Sequence, residues 1–204
     1  MKSLREEITS FLWQRFVHLF AVLFIASFVF GISGYALLHR VVGQHPVFGE
    51  LFRMFPYHQQ HPTPYIALVA FFYAILAGAW GTRSQAVGRR RHLELLGVLI
   101  ATLILSSAVG GILWTFHDMQ AGYFPPWERR IEAIGNGIVS GFCFGWVIVL
   151  LSFPFNVLSL LFAYALALYL PQRLTAPCAN PASVRRALSH VRLAERKAPG
   201  SITP

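Results

Sequence analysis

The sequence predicts an all-α integral membrane protein, a bundle of four transmembrane helices with a short helix lying in the interface outside. Three observations predict it. Only 12% of the 204 residues are charged and 55% are hydrophobic, against roughly 25% charged in a soluble domain. The apolar residues fall in long runs. Lys and Arg, which give a net charge of +9, gather in short clusters beside those runs. They follow no aromatic-interleaved groove, so they read as topology signals and not as a nucleic-acid surface.

The N-terminus, MKSLREEITSFLWQRF, starts basic like a signal peptide. The apolar run behind it, Phe16 to Leu38, is too long for a signal-peptide core of roughly 7–15 residues. It is expected to stay as an anchor and first span. The following loop, His39 to Pro64, contains VFGELFRMF. Phe48, Leu51, Phe52 and Phe55 fall at helical spacing there, with Glu50 and Arg53 off that face, the pattern of a short helix in the interface plane. The second span is Tyr65 to Trp80, just after Pro64, since proline suits the first turn of a helix. The third runs from Leu95 to Phe116.

Gly137 to Leu170 is about 34 residues, or about 51 Å as a straight helix, whereas a span needs roughly 20 residues. Charge arbitrates. If this segment crosses once and both termini are cytoplasmic, only Arg40, Arg53, Arg129 and Arg130 of the 17 basic residues lie outside. A hairpin, with five spans, moves the basic tail outside and removes that bias. The expectation is therefore one long fourth helix kinked at Pro154, with Asn156 beside it able to satisfy backbone freed at the kink. Residues 1–171 form the transmembrane domain and 172–204 a basic cytoplasmic tail. The localisation expected is an inner, cytoplasmic membrane.

Small residues recur at helical spacing: Gly137, Gly141 and Gly145 in the last segment, and Ala70, Ala74 and Gly78 in the second span. Such faces let backbones approach where lipid gives no hydrophobic drive. The spacing does not say whether the contact is within one chain or between copies. Tyr123, Phe124 and Trp127, like Phe48, Phe52 and Phe55, suit the headgroup level. Arg89, Arg90 and Arg91, with Arg185 and Arg186 in the tail, are the residues expected to meet lipid headgroups or a partner.

Candidate chemistry is sparse. Cys143 and Cys178 form no paired motif. WTFHDMQAGYFPPWERR, Trp114 to Arg130, places His117 beside Asp118, a general-base pairing, and brings Glu128 with Arg129 and Arg130, arginines being able to clamp phosphate. No serine or cysteine nucleophile motif accompanies them. His58, His61 and His117 are the candidate metal ligands by residue type. A haem would need pairs such as His18 with His92 or His39 with His117. No cofactor is expected from these residues. The spans lack Asp, Glu and Lys near their centres, which disfavours proton-coupled pumping. Their polar content is hydroxyls such as Ser27, Thr102, Ser106 and Ser159, with Cys143 and Asn156.

The expected function is non-catalytic: an integral inner-membrane protein acting by assembly or interaction, as an accessory subunit, sensor or immunity-type component. Its partners would be the bilayer and either further copies of itself or another membrane subunit, not nucleic acid. The alternatives are a membrane enzyme or metalloprotein with an outward His/Asp/Arg site, and a small oligomeric channel.

Overall fold

A computed structural model describes residues 2–84, 86–122 and 130–175. Among them the chain forms helices joined by turns, with α1 (Lys2–Val42), α2 (Glu50–Tyr57), α3 (Thr63–Arg83), α4 (Arg89–Gln120), α5 (Arg130–Leu151) and α6 (Phe155–Thr175). Three stretches are long and apolar enough to cross a membrane: Thr9–Val42 of α1, all of α3 and all of α4. These mark a membrane-embedded protein whose outer surface meets lipid. α5 and α6 carry shorter apolar stretches, Ile131–Gly145 and Phe155–Pro171. The helices outrun the apolar runs that announce them, because a helix continues through its polar flanks once its apolar centre is fixed.

α1 and α3 are antiparallel. Gly31 faces Ile66 at one end, and Gly78 faces Phe16 and the backbone of Phe20 at the other. α3 starts with Pro64 in its first turn and turns into α4 through Gly88, whose φ of 60° is a backbone conformation that glycine adopts without steric cost. α4 returns antiparallel to α3, with Trp80 bonded to Glu94 at the turn end and Tyr65 beside Trp114 at the opposite, loop end. A core of Leu23, Tyr73, Ala74, Ala77, Leu95, Leu99 and Ala167 joins α1, α3, α4 and α6.

α5 packs on α4 through the glycine repeat. A Cβ on Gly137 would stand 2.2 Å from Thr115 Oγ1, one on Gly141 would stand 2.3 Å from the Ser107 carbonyl oxygen, and one on Gly145 would stand 2.4 Å from Ser107 Cβ. Gly111 completes the seam from the α4 side, its missing Cβ lying 2.0 Å from the Gly137 carbonyl oxygen. In this chain the repeat therefore joins two helices of the same molecule. Ala70 and Ala74 are buried in the α3 interior.

The single bent helix expected across Pro154 is corrected to two helices. α5 stops at Leu151, residues 152–154 form turns, and α6 starts at Phe155, the Phe153–Pro154 peptide being cis. Proline supplies no N–H and its ring crowds the preceding turn, so the ladder is interrupted. The break is satisfied by side chains: Ser152 Oγ donates to the Val149 carbonyl at 2.7 Å, and Asn156 Nδ2 donates to the same oxygen at 2.7 Å. α6 then runs antiparallel to α1, with Phe155 against Gly34 of α1 and, at the other end, both Pro171 and Leu19 of α1 beside Gly81. The stretch from Arg130 to Thr175 thus starts at the loop end of the bundle and finishes at the turn end.

α2 forms where the amphipathic pattern predicts it, and its apolar face turns onto the bundle. Phe52 is fully buried and Phe55 nearly so, against Tyr35 and His39 of α1 and Tyr65 of α3. Phe48 is half-buried against Phe153. Arg53 ties the preceding loop by donating to the Pro46 carbonyl at 3.0 Å. Tyr123, Phe124 and Trp127 lie outside the described residues, as do Arg185 and Arg186 and the tail from residue 176.

Candidate functional site: an apolar cavity between the helices

A partly open cavity of about 460 Å³ lies between the helices, with walls from α1, α3, α4, α5 and α6. That volume lies within the roughly 300–1,000 Å³ of small-molecule sites. Its lining is overwhelmingly apolar. Phe30 and Phe162 stack across it at 4.0 Å between ring centroids. Phe55, Pro62 and Tyr65 close its loop end, and the α5–α6 break, with Val149, Ser152 and Asn156, forms one wall. Non-helical backbone at membrane depth is tolerated where it is buried in protein or lines a cavity, and here it does the second.

Four hydroxyls of the apolar segments bond back to the backbone. Thr102 donates to the Val98 carbonyl at 2.8 Å, Ser106 to Leu103 at 3.2 Å, Thr115 to Gly111 at 2.9 Å and Ser152 to Val149 at 2.7 Å, the usual way a helix absorbs such a group. Tyr73, deep in the core, donates to the Ala163 carbonyl at 2.6 Å and ties α3 to α6. Ser27 Oγ and Ser159 Oγ are hidden from solvent and have no partner. Both residues contribute to the cavity lining, but their covered oxygens do not face it.

Ionisable groups sit at the two ends. At the turn end Glu94 is the hub: it accepts from Ser84 Oγ at 2.6 Å, Trp80 Nε1 at 3.0 Å and Arg90 Nε at 3.0 Å. Arg91 lies over the Trp80 ring at 5.8 Å and donates to the Leu168 carbonyl at 2.7 Å, holding α6 to α4. Arg89 and Arg90 are exposed. Of the five arginines expected to meet headgroups or a partner, Arg91 is thus part of the helix packing. The Arg90–Glu94 spacing of four is legible in the sequence, whereas the Trp80 and Ser84 partnerships needed the α3–α4 turn.

At the loop end His117 Nδ1 and Asp118 Oδ1 are 3.6 Å apart, too far for a hydrogen bond, and His117 Nδ1 is buried without a bonding partner. His58 meets the Trp114 ring edge-on at 5.0 Å, and His61 Nδ1 lies 3.5 Å from Thr63 Oγ1. Among the described residues no three His, Cys, Asp or Glu side chains come together. Glu128 and Arg129 lie outside the described residues, and Arg130 opens α5. The histidines considered for haem have other neighbours: His39 stacks with Tyr35 and His92 with Tyr164.

Compared with protein families, characterised proteins and solved structures, the chain matches none.

Proposed function

We propose that this chain is a non-catalytic, multi-pass protein of an inner, cytoplasmic-type membrane that acts by interaction, as an accessory subunit, sensor or immunity-type component of a membrane complex. In this reading it crosses four times, α5 and α6 together making the fourth crossing, and both termini are cytoplasmic. The observation that carries the reading is the distribution of polar chemistry. Glu94 at the turn end is saturated by three donors, the loop-end His117–Asp118 pair is not hydrogen-bonded, and the space between the helices is apolar. An interior of that kind holds a molecule without supplying a base, a nucleophile or a proton relay to it.

The contact surface in this reading is the outward face of α5. α5 packs mainly on α4, leaving Val139, Phe142 and Phe144 exposed, the last at 65%. Cys143, exposed on the same helix, is a ready probe. With Cys178→Ser as background, mild oxidation in native membranes is expected to give a Cys143-linked dimer, or affinity isolation in gentle detergent a stoichiometric second subunit. A chain that stays monomeric and alone in both experiments overturns the assembly reading. Sidedness is checked by cysteine accessibility: Ser84→Cys and a reporter after Pro204 are expected on the cytoplasmic side and Gln120→Cys on the other. A reporter found on the Gln120 side overturns the four crossings.

A further inference from the structure

We infer that the α3–α4 turn is a binding site for the phosphate of an anionic phospholipid, clamped between Arg83 at the end of α3 and Arg90 in the first turn of α4. The inference goes beyond the assembly reading and does not depend on it. It rests only on the chain being embedded in a membrane.

An open groove of about 290 Å³ lies in this turn, lined by Arg83, Ser84, Ala86, Arg90 and Glu94. Two of its polar side chains are already engaged. Ser84 Oγ donates to Glu94 at 2.6 Å and accepts from the Ala86 N–H at 3.2 Å. Glu94 accepts from Trp80 and Arg90 as well. The guanidinium groups are not spent. Arg90 gives only its Nε to Glu94, and its side chain is still 82% exposed, so its terminal nitrogens remain for an acceptor outside the protein. Arg83 is exposed and has no bonded partner among the described residues. Glu94 thus holds one arginine in place while the other is free to close on a ligand. Each guanidinium can give a phosphate two parallel N–H bonds. From Arg83 to Glu94 the chain carries four arginines and one carboxylate, a net charge of +3 with His92 neutral, so an anion is attracted in spite of Glu94.

The surroundings of the groove favour a lipid phosphate over one free in water. Val87, between the two arginines in the chain, is 85% exposed, and Leu93, one turn along α4 from Arg90, is 59% exposed. Trp13 of α1 and Tyr169 of α6 are exposed too, and both belong to this end of the bundle. Trp13 lies one turn before Phe16, which packs beside Gly78, and Tyr169 lies just before Pro171, which packs beside Gly81. Trp and Tyr gather where the bilayer meets water. The groove therefore stands at the level of the lipid phosphates, with apolar side chains beside it to meet acyl chains. Arginines clustered next to a membrane-spanning helix draw anionic lipid. A zwitterionic headgroup brings an ammonium along with its phosphate, and the positive turn repels it.

The test uses the full chain, purified in nonionic detergent and stripped of lipid. Phosphatidylglycerol is expected to raise its apparent Tm in a saturable titration, and phosphatidylcholine with the same acyl chains is not. The rise is expected to shrink at high salt. Arg83→Gln removes no hydrogen bond or ion pair among the described residues. It is expected to leave the lipid-free Tm unchanged and to weaken the phosphatidylglycerol titration about fivefold. Arg83→Gln/Arg90→Gln is expected to weaken it about 25-fold, the two charges acting independently. Arg40→Gln, the same change of charge at an exposed position of the loop end, is expected to titrate like wild type. Equal stabilisation by phosphatidylcholine, or by inorganic phosphate at the same concentration, overturns the proposal. So does an Arg83→Gln protein that titrates like wild type, or an Arg40→Gln protein weakened as much as Arg83→Gln. None of these results bears on whether copies or partners associate through α5.

Discussion

The α4–α5 seam gives the sharpest test of the packing. Replacing Gly141 by alanine adds one carbon, which would stand 2.3 Å from the Ser107 carbonyl oxygen and 3.1 Å from both the Cα and the N of Gly111. Ordinary contact starts at 3.4 Å, so the two helices must part by about 1.1 Å at that level. The obstructing atoms are backbone, and no rotamer change can move them aside. Overpacking costs about 1–3 kcal/mol, and a backbone obstruction belongs at the upper end. Removing a helix-interior glycine returns about 0.5–1 kcal/mol. The net expectation is a loss of about 2 kcal/mol, read as a shift in reversible unfolding in mixed detergent micelles followed by circular dichroism. Gly135→Ala is the control, because it lies in the same helix with nothing within 4 Å of the added carbon. It is expected to be neutral or slightly stabilising. If Gly141→Ala unfolds with or after wild type, alongside Gly135→Ala, the seam is not close-packed and the reasoning fails.

Phe52→Ala empties a fully buried site under α2 and is expected to cost about 3–5 kcal/mol, with faster proteolysis between residues 43 and 62. Tyr57→Ala, at an 84% exposed position on the same helix, is expected to change neither. Asn156→Leu removes two of the three side-chain bonds at the α5–α6 break, leaving that of Ser152, and is expected to cost about 1–3 kcal/mol, with hydrogen exchange rising from Val149 to Val157. Unchanged exchange there would show that the break closes without the Asn156 side chain. Glu94→Ala strips Ser84, Trp80 and Arg90 of their shared acceptor, so its Tm is expected to fall below that of Glu132→Ala, a change at an exposed carboxylate.

Much of the architecture is written in one dimension. Apolar runs of helical length fix the three long helices because backbone groups in lipid must bond within their own segment. The spacing of Phe48, Phe52 and Phe55 announces α2, and the four-residue glycine repeat announces a close helix contact. What the spacing lacks is the identity of the other side. Gly141 meets Gly111 of the preceding helix, and Phe52 meets Tyr35 and not a headgroup. His117 adjoins Asp118 in sequence, yet successive residues of a helix point in different directions, and the pair is not bonded. Pro154 marks an interruption, but only the surrounding side chains decide between a bend and two helices.

The cavity belongs wholly to the tertiary structure. Ser27 and Ser159 resemble every other hydroxyl in the apolar runs until α1 and α6 come together at Phe30 and Phe162. Periodicity along a chain reports which face of a helix is apolar, and so the sequence determined that this chain is helical and enters a membrane. Which faces meet, and what space they leave between them, depends on contacts among residues far apart in the chain, and those were decided only by the fold.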